Sequence, residues 1–319
     1  MKYFDVFNGD ADGICSLLQL RLAEPRDATL ITGVKRDIAL LKNLKVAAGD
    51  SVTVLDISMQ KNTVDLQRLL DEGAEVFYVD HHQAGDIPQH PGLTAHIDLD
   101  ATACTALIVD NLLEQRFHLW AITAAFGDNL TEVAEKLARQ EGLTHSQMFT
   151  LKQLGIALNY NGYGSAIDDL FYHPADLYRE CVSFESPLDF VDEKSQIFST
   201  LKEGYQQDMD AAQQAPFIYQ NDKIAVLNLP AEKWARRVGG VFGNEMANRY
   251  PDRAHAILTP INDSAYVVSI RAPLNNRHGA GDVAAQFATG GGRAGAAGIN
   301  VLPENAVAQL IDALKQQYQ

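Results

Sequence analysis

Cysteine is scarce. Cys15, Cys104 and Cys181 are the three in 319 residues, too few and too widely spaced for a disulfide framework or a zinc knuckle. Free thiols in a reducing compartment are expected. Positive charge is also in short supply: 26 Lys and Arg against 41 Asp and Glu give a formal net charge of −15. Neutralising a phosphate backbone takes a lysine- and arginine-rich face, so the balance argues against tight binding of long nucleic acid. Long apolar runs are missing. No stretch of ~18 consecutive apolar residues occurs, so no transmembrane helix is expected, and the opening residues, Met1–Asp10, lack the apolar core of a signal peptide. A cytoplasmic enzyme without membrane contact is the expectation. Nor does the chain contain Gly-x-x-x-x-Gly-Lys-Ser/Thr, His-Glu-x-x-His or Gly-x-Ser-x-Gly, the signatures of three common phosphate and hydrolase sites.

What is present is the composition of an ordinary globular protein, 46% hydrophobic and 21% charged, long enough for about two domains. Apolar strand-like runs alternate with helical ones. Tyr3–Phe7, Thr29–Thr32, Ser51–Leu55, Glu75–Val79 and Thr94–Ile97 read as strands. Ile14–Leu22, Ile38–Lys45, Asn62–Glu72 and Thr102–Glu114 read as helices. This alternation predicts a mostly parallel sheet flanked by helices, in which ligands bind beyond the carboxyl ends of the strands.

Those ends carry the chemistry. Asp10 and Asp12 follow the first strand, Asp56 ends the third, and Asp80, His81 and His82 end the fourth. Asp10 and Asp12 alternate, so an extended turn would aim both side chains at one place. An N-cap at Asp12 would account for one of the two and leave the other over. Asp128 follows a buried helix at Leu119–Phe126, and an anion at a helix C-terminus suggests a cation nearby. From Thr131 to about Asp210 the pattern is helical. The aromatics Tyr160, Tyr163, Phe171 and Tyr172 read as core, and Asn159–Gly164 is a loop without an assigned role. A charged helix at Glu193–Ala212 reads as a connector. After Pro216 a second, smaller α/β domain follows, with strands at Ile224–Leu229, Ala254–Leu258 and Ala265–Arg271 and helices at Trp234–Tyr250 and Glu304–Tyr318.

Several carboxylates and an imidazole at one sheet edge repel one another unless a cation compensates them. Oxygen ligands with one imidazole suit Mn²⁺ or Mg²⁺ better than zinc. Two such ions ~3.5–4 Å apart can activate water and stabilise a leaving oxygen in phosphoryl displacement. The expected chemistry is metal-assisted hydrolysis of a phosphate ester. The run Gly290–Gly295 formally satisfies Gly-x-Gly-x-x-Gly but lies too near the C-terminus for a dinucleotide-binding unit. It reads instead as a glycine turn whose N–H groups approach a phosphate or base, with Arg271 and Arg293 as donors to phosphate oxygens. A purely structural turn with surface arginines is the other reading.

Taken in order, these motifs resemble the DHH phosphoesterases with a C-terminal DHHA1 domain. That family includes exonucleases, RNases acting on short oligonucleotides and cyclic-dinucleotide phosphodiesterases. Asn8–Gly13 resembles its first motif, Leu55-Asp56 the second, Asp80-His81-His82 the third and Gly127-Asp128-Asn129 the fourth. The segment Thr102–Thr105 matches a Thr/Ser-rich stretch between the last two. Ser269–Arg271 and Gly290–Gly298 resemble the nucleotide-recognition elements of DHHA1.

The resemblance implies a DHH catalytic domain at 1–189, a connecting helix at 190–215 and a DHHA1 substrate-binding domain at 216–319, with the active-site cleft between the two domains. Asp10 and Asp56 would hold one Mn²⁺, while Asp12, Asp56, His81 and Asp128 would hold the other, Asp56 bridging. Asp80 would orient a histidine, and His82 would contact the scissile phosphate or assist the leaving group. Arg271, Gly291, Gly292 and Arg293 would hold the terminal nucleotide of a short oligonucleotide or small nucleotide.

Two positions depart from the family. Val6 stands where many members have a histidine, so the first metal site would be weaker or completed by Asn8 and water. Arg293 stands where the glycine run usually ends in histidine, which bears on substrate preference. A nucleotide-binding regulator with a degenerate metal site and a cyclic-dinucleotide or small-nucleotide phosphatase are the other functions considered.

Overall fold

Strand β1 (Tyr3–Phe7) is buried along four of its five residues, as a central strand covered on both faces must be. The computed structural model describes residues 1–319. After β1 the chain enters α1 (Ala11–Ala23), which is apolar nearly all round and correspondingly buried. Next come β2 (Thr29–Ile31), β3 (Ser51–Leu55), the amphipathic α2 (Met59–Asp71), β4 (Glu75–Asp80) and β5 (Leu93–Ile97). The five strands form one parallel sheet in the order β2-β1-β3-β4-β5. The chain leaves β1 for β2 on one side and returns to β3 on the other. The carboxyl ends of β1 and β3 therefore flank the point where a doubly wound sheet opens a crevice.

The two-residue period of the strands divides the core in two. Phe4, Val6, Val52, Val54, Val76 and Tyr78 pack against Leu66, Leu69 and Leu70 of α2. Phe7, Leu55 and Val79 face the opposite layer, which contains Leu17 and Leu18 of α1. That layer also draws on α3 (Thr105–Leu112), α4 (His118–Gly127), α5 (Thr131–Gln140), α6 (His145–Asn161), α7 (Pro174–Cys181) and α8 (Pro187–Glu193), with Trp120, Leu158 and Phe190 among its buried residues. Truncating a fully buried leucine such as Leu18 would cost roughly 2–5 kcal/mol.

One expected helix is not there. Ile38–Lys45 forms turns, although Leu41 and Leu44 are buried at helical spacing. The backbone carbonyls that a helix would use internally are taken by side chains of α2. Asn62 donates to the Ile38 carbonyl (2.6 Å), and Arg68 donates to those of Leu41 and Leu44 (both 2.9 Å).

Helix α9 (Ser195–Gln213) contains the point at which the chain divides into two compact units, Met1–Gly204 and Tyr205–Gln319. The second unit comprises β6 (Phe217–Gln220), β7 (Ile224–Asn228), α10 (Lys233–Arg249), β8 (Ala254–Asn262), β9 (Ala265–Arg271), α11 (Ala280–Ala284), β10 (Gly290–Gly292), β11 (Ala296–Pro303) and α12 (Val307–Tyr318). Its sheet runs β10-β11-β9-β8-β7-β6, with β7 and β8 parallel and the other pairs antiparallel. Val238, Phe242 and Met246 of α10 cover one face, and Val283, Leu310 and Leu314 of α11 and α12 cover the other.

The glycine run is a strand rather than the expected turn. Gly290, Gly291 and Gly292 pair with Ile299, Gly298 and Ala297 of β11, and the turn lies beyond them. Glycine is required at position 290, where a Cβ would stand 1.9 Å from the Ala284 carbonyl oxygen. No helix in either unit is long and apolar enough to cross a membrane.

Candidate metal centre

Asp10 is the N-cap of α1. Its Oδ1 accepts from the Asp12 and Gly13 N–H groups at 3.0 and 3.1 Å. The capping residue is thus Asp10, not Asp12, and the Asp12 carboxylate is left to point elsewhere. Its two oxygens accept from the N–H groups of Thr105 (2.8 Å) and Ala106 (2.7 Å) at the first turn of α3. Two charge-assisted bonds and the positive end of a helix fix this carboxylate. Asp56 follows β3 with a left-handed backbone (φ 58°), a conformation that Asp tolerates better than most residues. Thr105 Oγ1 donates to it at 3.4 Å.

His81 lies at the centre. Its Nδ1 is 3.0 Å from the Ala103 carbonyl oxygen, an atom that can only accept, so Nδ1 donates there and Nε2 is the ring nitrogen turned towards the acids. Around Nε2 stand Asp56 Oδ1 at 3.6 Å, Asp12 Oδ2 at 3.7 Å and Asp128 Oδ2 at 3.7 Å. Three carboxylates and an imidazole nitrogen thereby converge from the ends of β1, β3, β4 and α4. With metal–ligand bonds of ~2.1 Å, donors on one ion stand roughly 3–3.5 Å apart. Two overlapping groups here have ligand atoms close enough for one ion, Asp12, His81 and Asp128, and Asp56, His81 and His82, and the oxygen-rich first group suits Mn²⁺ or Mg²⁺.

His82 adjoins this group. Its Nδ1 bonds Asp80 Oδ1 at 2.7 Å and lies 3.7 Å from Asp56 Oδ1, while its ring is half exposed. Asp80 is fully buried and its second oxygen has no hydrogen-bond partner. The Asp80 bond pulls the His82 pKa up, against the opposing effect of burial.

The residue that sequence reasoning missed is Lys35. It follows β2, whose carboxyl end shares the sheet edge with those of β1 and β3; position past a strand end was the available signal. Its ammonium bonds Asp10 Oδ2 and Asn159 Oδ1 (3.1 Å), and it lies 3.7 Å from Asp128 Oδ1. Asn159, expected in a loop, lies in the last turn of α6, and the end of that helix is therefore part of this cluster. Burial would lower the Lys35 pKa, but Asp10, Tyr163, Asp128 and Asp56 hold it well above the ordinary lysine value. Burial likewise works to raise the Asp10 pKa, and the Lys35 charge overrides it, keeping Asp10 below the usual range. The other carboxyls are not so compensated. Burial and the charges of Asp10 and Asp12 push Asp56 well up. Burial and Asp12 raise Asp128 to about 6. Both shifts mark an excess of negative charge that a cation would relieve.

The remaining candidates are placed as follows. Asn8 is buried at the end of β1; its Nδ2 donates to the Lys35 carbonyl at 3.3 Å and its Oδ1 has no partner. Arg271 ends β9, and its guanidinium donates to Asn244 Oδ1 (2.6 Å), Ser269 Oγ (3.0 Å) and the carbonyls of Ile270 (3.0 Å) and Gly240 (3.1 Å). Gly291, Gly292 and Arg293 are exposed on the edge strand and the turn after it. The structure thus brings Asp10, Asp12, Asp56, Asp80, His81, His82 and Asp128 into one cluster in the first unit, and it places Arg271, Gly291, Gly292 and Arg293 in the second. The cysteines are free and buried.

No family model and no curated protein matches this sequence. The fold does match solved structures. An exonuclease RecJ bound to manganese aligns with 99% of this chain and 89% of its own at TM-score 0.66 and 15% identity. A DHH-domain protein from a family of ribosomal proteins aligns with 99% of this chain and 86% of its own at 0.61 and 14%. A pGpG-specific phosphodiesterase, PggH, from Vibrio cholerae aligns with 99% and 98% at 0.56 and 15%. The chain has the fold of the DHH-domain proteins over nearly its whole length.

Proposed function

We propose that this chain is a divalent-metal-dependent phosphoesterase that hydrolyses phosphodiester bonds in short oligonucleotides or small nucleotides. The observation that carries this reading is the convergence of Asp12, Asp56 and Asp128 on His81 Nε2. A divalent ion there would supply Lewis-acid activation of water and of a phosphoryl oxygen. Manganese is the ion proposed, supported by the RecJ neighbour's bound metal and by the oxygen-rich ligand set, with magnesium as the alternative.

The protein's own groups do the rest. The Ala103 carbonyl and the N-terminus of α3 lock His81 and Asp12 in place before anything binds. Asp80 holds His82 by its Nδ1, leaving Nε2 to donate to a phosphate or to protonate a leaving oxygen. The Lys35 ammonium adds a fixed positive charge on the Asp10 side. Arg271, Gly291, Gly292 and Arg293 of the second unit are proposed to receive the nucleoside end of the substrate. The family's two-ion form of the reaction would place a further ion on Asp10 and Asp56, where Lys35 already bonds Asp10. The acidic surface, net −15, favours short substrates over long polymers.

Purified protein with Mn²⁺ should release mononucleotides from labelled di- to pentanucleotides. Absence of turnover on these, on cyclic dinucleotides and on 3′-phosphoadenosine phosphate alike would overturn the reading. One observation favours a second possibility, a nucleotide-binding regulator: Val6 puts an aliphatic side chain where many members of the family have a histidine. Such a protein would bind nucleotide without turnover and without retaining metal.

A further inference from the structure

We infer that Lys35 is a built-in cation standing where a second metal ion would otherwise sit, so that this chain takes up one divalent ion rather than two. The inference rests on the phosphoesterase reading and deepens it.

Both oxygens of Asp10 are committed. Oδ1 caps α1 through the Asp12 and Gly13 N–H groups, and Oδ2 bonds the Lys35 ammonium. The ammonium is held from its other sides as well: it donates to Asn159 Oδ1 at 3.1 Å, lies 3.7 Å from Asp128 Oδ1 and stands 5.9 Å from the centre of the Tyr163 ring. An ion seeking Asp10 would have to displace this group from two carboxylates and an amide together.

Nor is the lysine a loose surface side chain that has fallen onto an acid. Its backbone N–H donates to the Gly162 carbonyl at 2.7 Å, and its own carbonyl accepts from Asn8 Nδ2 at 3.3 Å. The segments that hold it approach so closely that side chains are excluded. A Cβ at Gly9 would lie 2.0 Å from the Gly33 carbonyl oxygen, and one at Gly162 would lie 3.0 Å from the Asp10 Cβ. Three parts of the chain, the end of β1, residues 33–35 and the end of α6, interlock to place one ammonium.

Val6 is fully buried in the aliphatic layer with Phe4, Val52 and Val54, and offers no donor atom. At His81 the situation is reversed: Asp12, His81 and Asp128 offer one group of ligand atoms and Asp56, His81 and His82 an overlapping one, both sharing His81, and no Lys or Arg is bonded to Asp12 or Asp56 there. A fixed positive charge beside this centre also repels a second divalent ion.

The test is the number of Mn²⁺ ions bound by the full-length protein, measured by equilibrium dialysis with elemental analysis and by electron paramagnetic resonance. One ion per chain with the six-line spectrum of isolated Mn²⁺ is expected. Two ions with an exchange-coupled spectrum would overturn the inference and leave the phosphoesterase reading intact; no bound ion would overturn both. Lys35→Met, its folding confirmed by circular dichroism, should raise the count from one to two. Lys35→Arg should keep it at one, and Asp10→Asn added to Lys35→Met should return it to one. A count that stays at one in Lys35→Met would also overturn the inference. Should Lys35→Met fail to fold, the count in the unmodified protein decides.

Discussion

Asp5 and Asp10 stand in and just beyond the same strand, both buried and both beside a cation, yet they are neutralised in different ways. Asp5 meets the fork of Arg21, with Nε–Oδ2 at 2.8 Å and Nη2–Oδ1 at 2.5 Å, and Arg21 also donates to Thr53 at 3.0 Å. One acid, one base and a hydroxyl close on themselves. Asp10 shares the single point charge of Lys35 with Asp128, while Asp12 and Asp56 have only the His81 ring beside them and no Lys or Arg. The amino end of the sheet is thus electrically complete and the carboxyl end is not. Volume misleads here. A cavity of about 710 Å³ lies at the amino end, lined by Arg21, Thr53 and Glu75, away from the acid cluster. A planar guanidinium closes on one carboxylate through two bonds, whereas a lysine is a point charge that Asp10 and Asp128 share.

The contrast can be broken from either side. Arg21→Met should be the most damaging change to the fold, about 3–5 kcal/mol, because it leaves Asp5 buried with an uncompensated charge. Urea denaturation would read this loss, and Mn²⁺ uptake by the remaining folded protein should be unaffected. Asp56→Asn should act in the opposite sense. Asn accepts the left-handed backbone, and removing a carboxylate crowded by Asp10 and Asp12 relieves repulsion. Stability should hold or rise while turnover of short oligonucleotides falls by about 10²–10³-fold.

A third buried group, His255 in β8, escapes charge instead of pairing it. Burial, with Arg253 nearby, lowers its pKa from 6.5 to about 4. Between those values the unfolded chain binds the extra proton. Stability of the second unit, full above pH 6.5, should therefore decline by up to about 3 kcal/mol as the pH falls towards 4. Thermal melts across that range would show the slope, and His255→Leu should flatten it. The smallest effect belongs to Asp80→Asn. It keeps a side chain beside His82 but loses the charged partner, and should lower turnover by about 10–100-fold without changing the Mn²⁺ count.

Much of this was legible in the amino-acid order because the sheet is parallel. Apolar runs that end in Asp10, Asp56 and Asp80-His81-His82 must deliver those residues to one edge, whatever the details between them. What was not legible depends on partners distant in sequence. Lys35 carries no flanking motif; it matters because Gly162 and Asn8 hold its backbone. The choice of Asp10 over Asp12 as cap was settled by the N-terminus of α3, which claims Asp12 from about ninety residues away. Ile38–Lys45 has helical spacing but yields its carbonyls to Asn62 and Arg68. The glycine run became a strand because Ala284 packs over Gly290, leaving no room for a side chain.

The bare Cα of Gly162 has a consequence of its own. It lets the tip of α6 nestle against the acid after β1, so that close packing joins the hydrogen bonds in coupling this segment to the reactive edge. A single methyl group added there, itself uncharged, would stand 3.0 Å from the Asp10 Cβ and press on the acid that holds the ammonium. The cluster's charge can be retuned by sterics, without altering any ionisable residue.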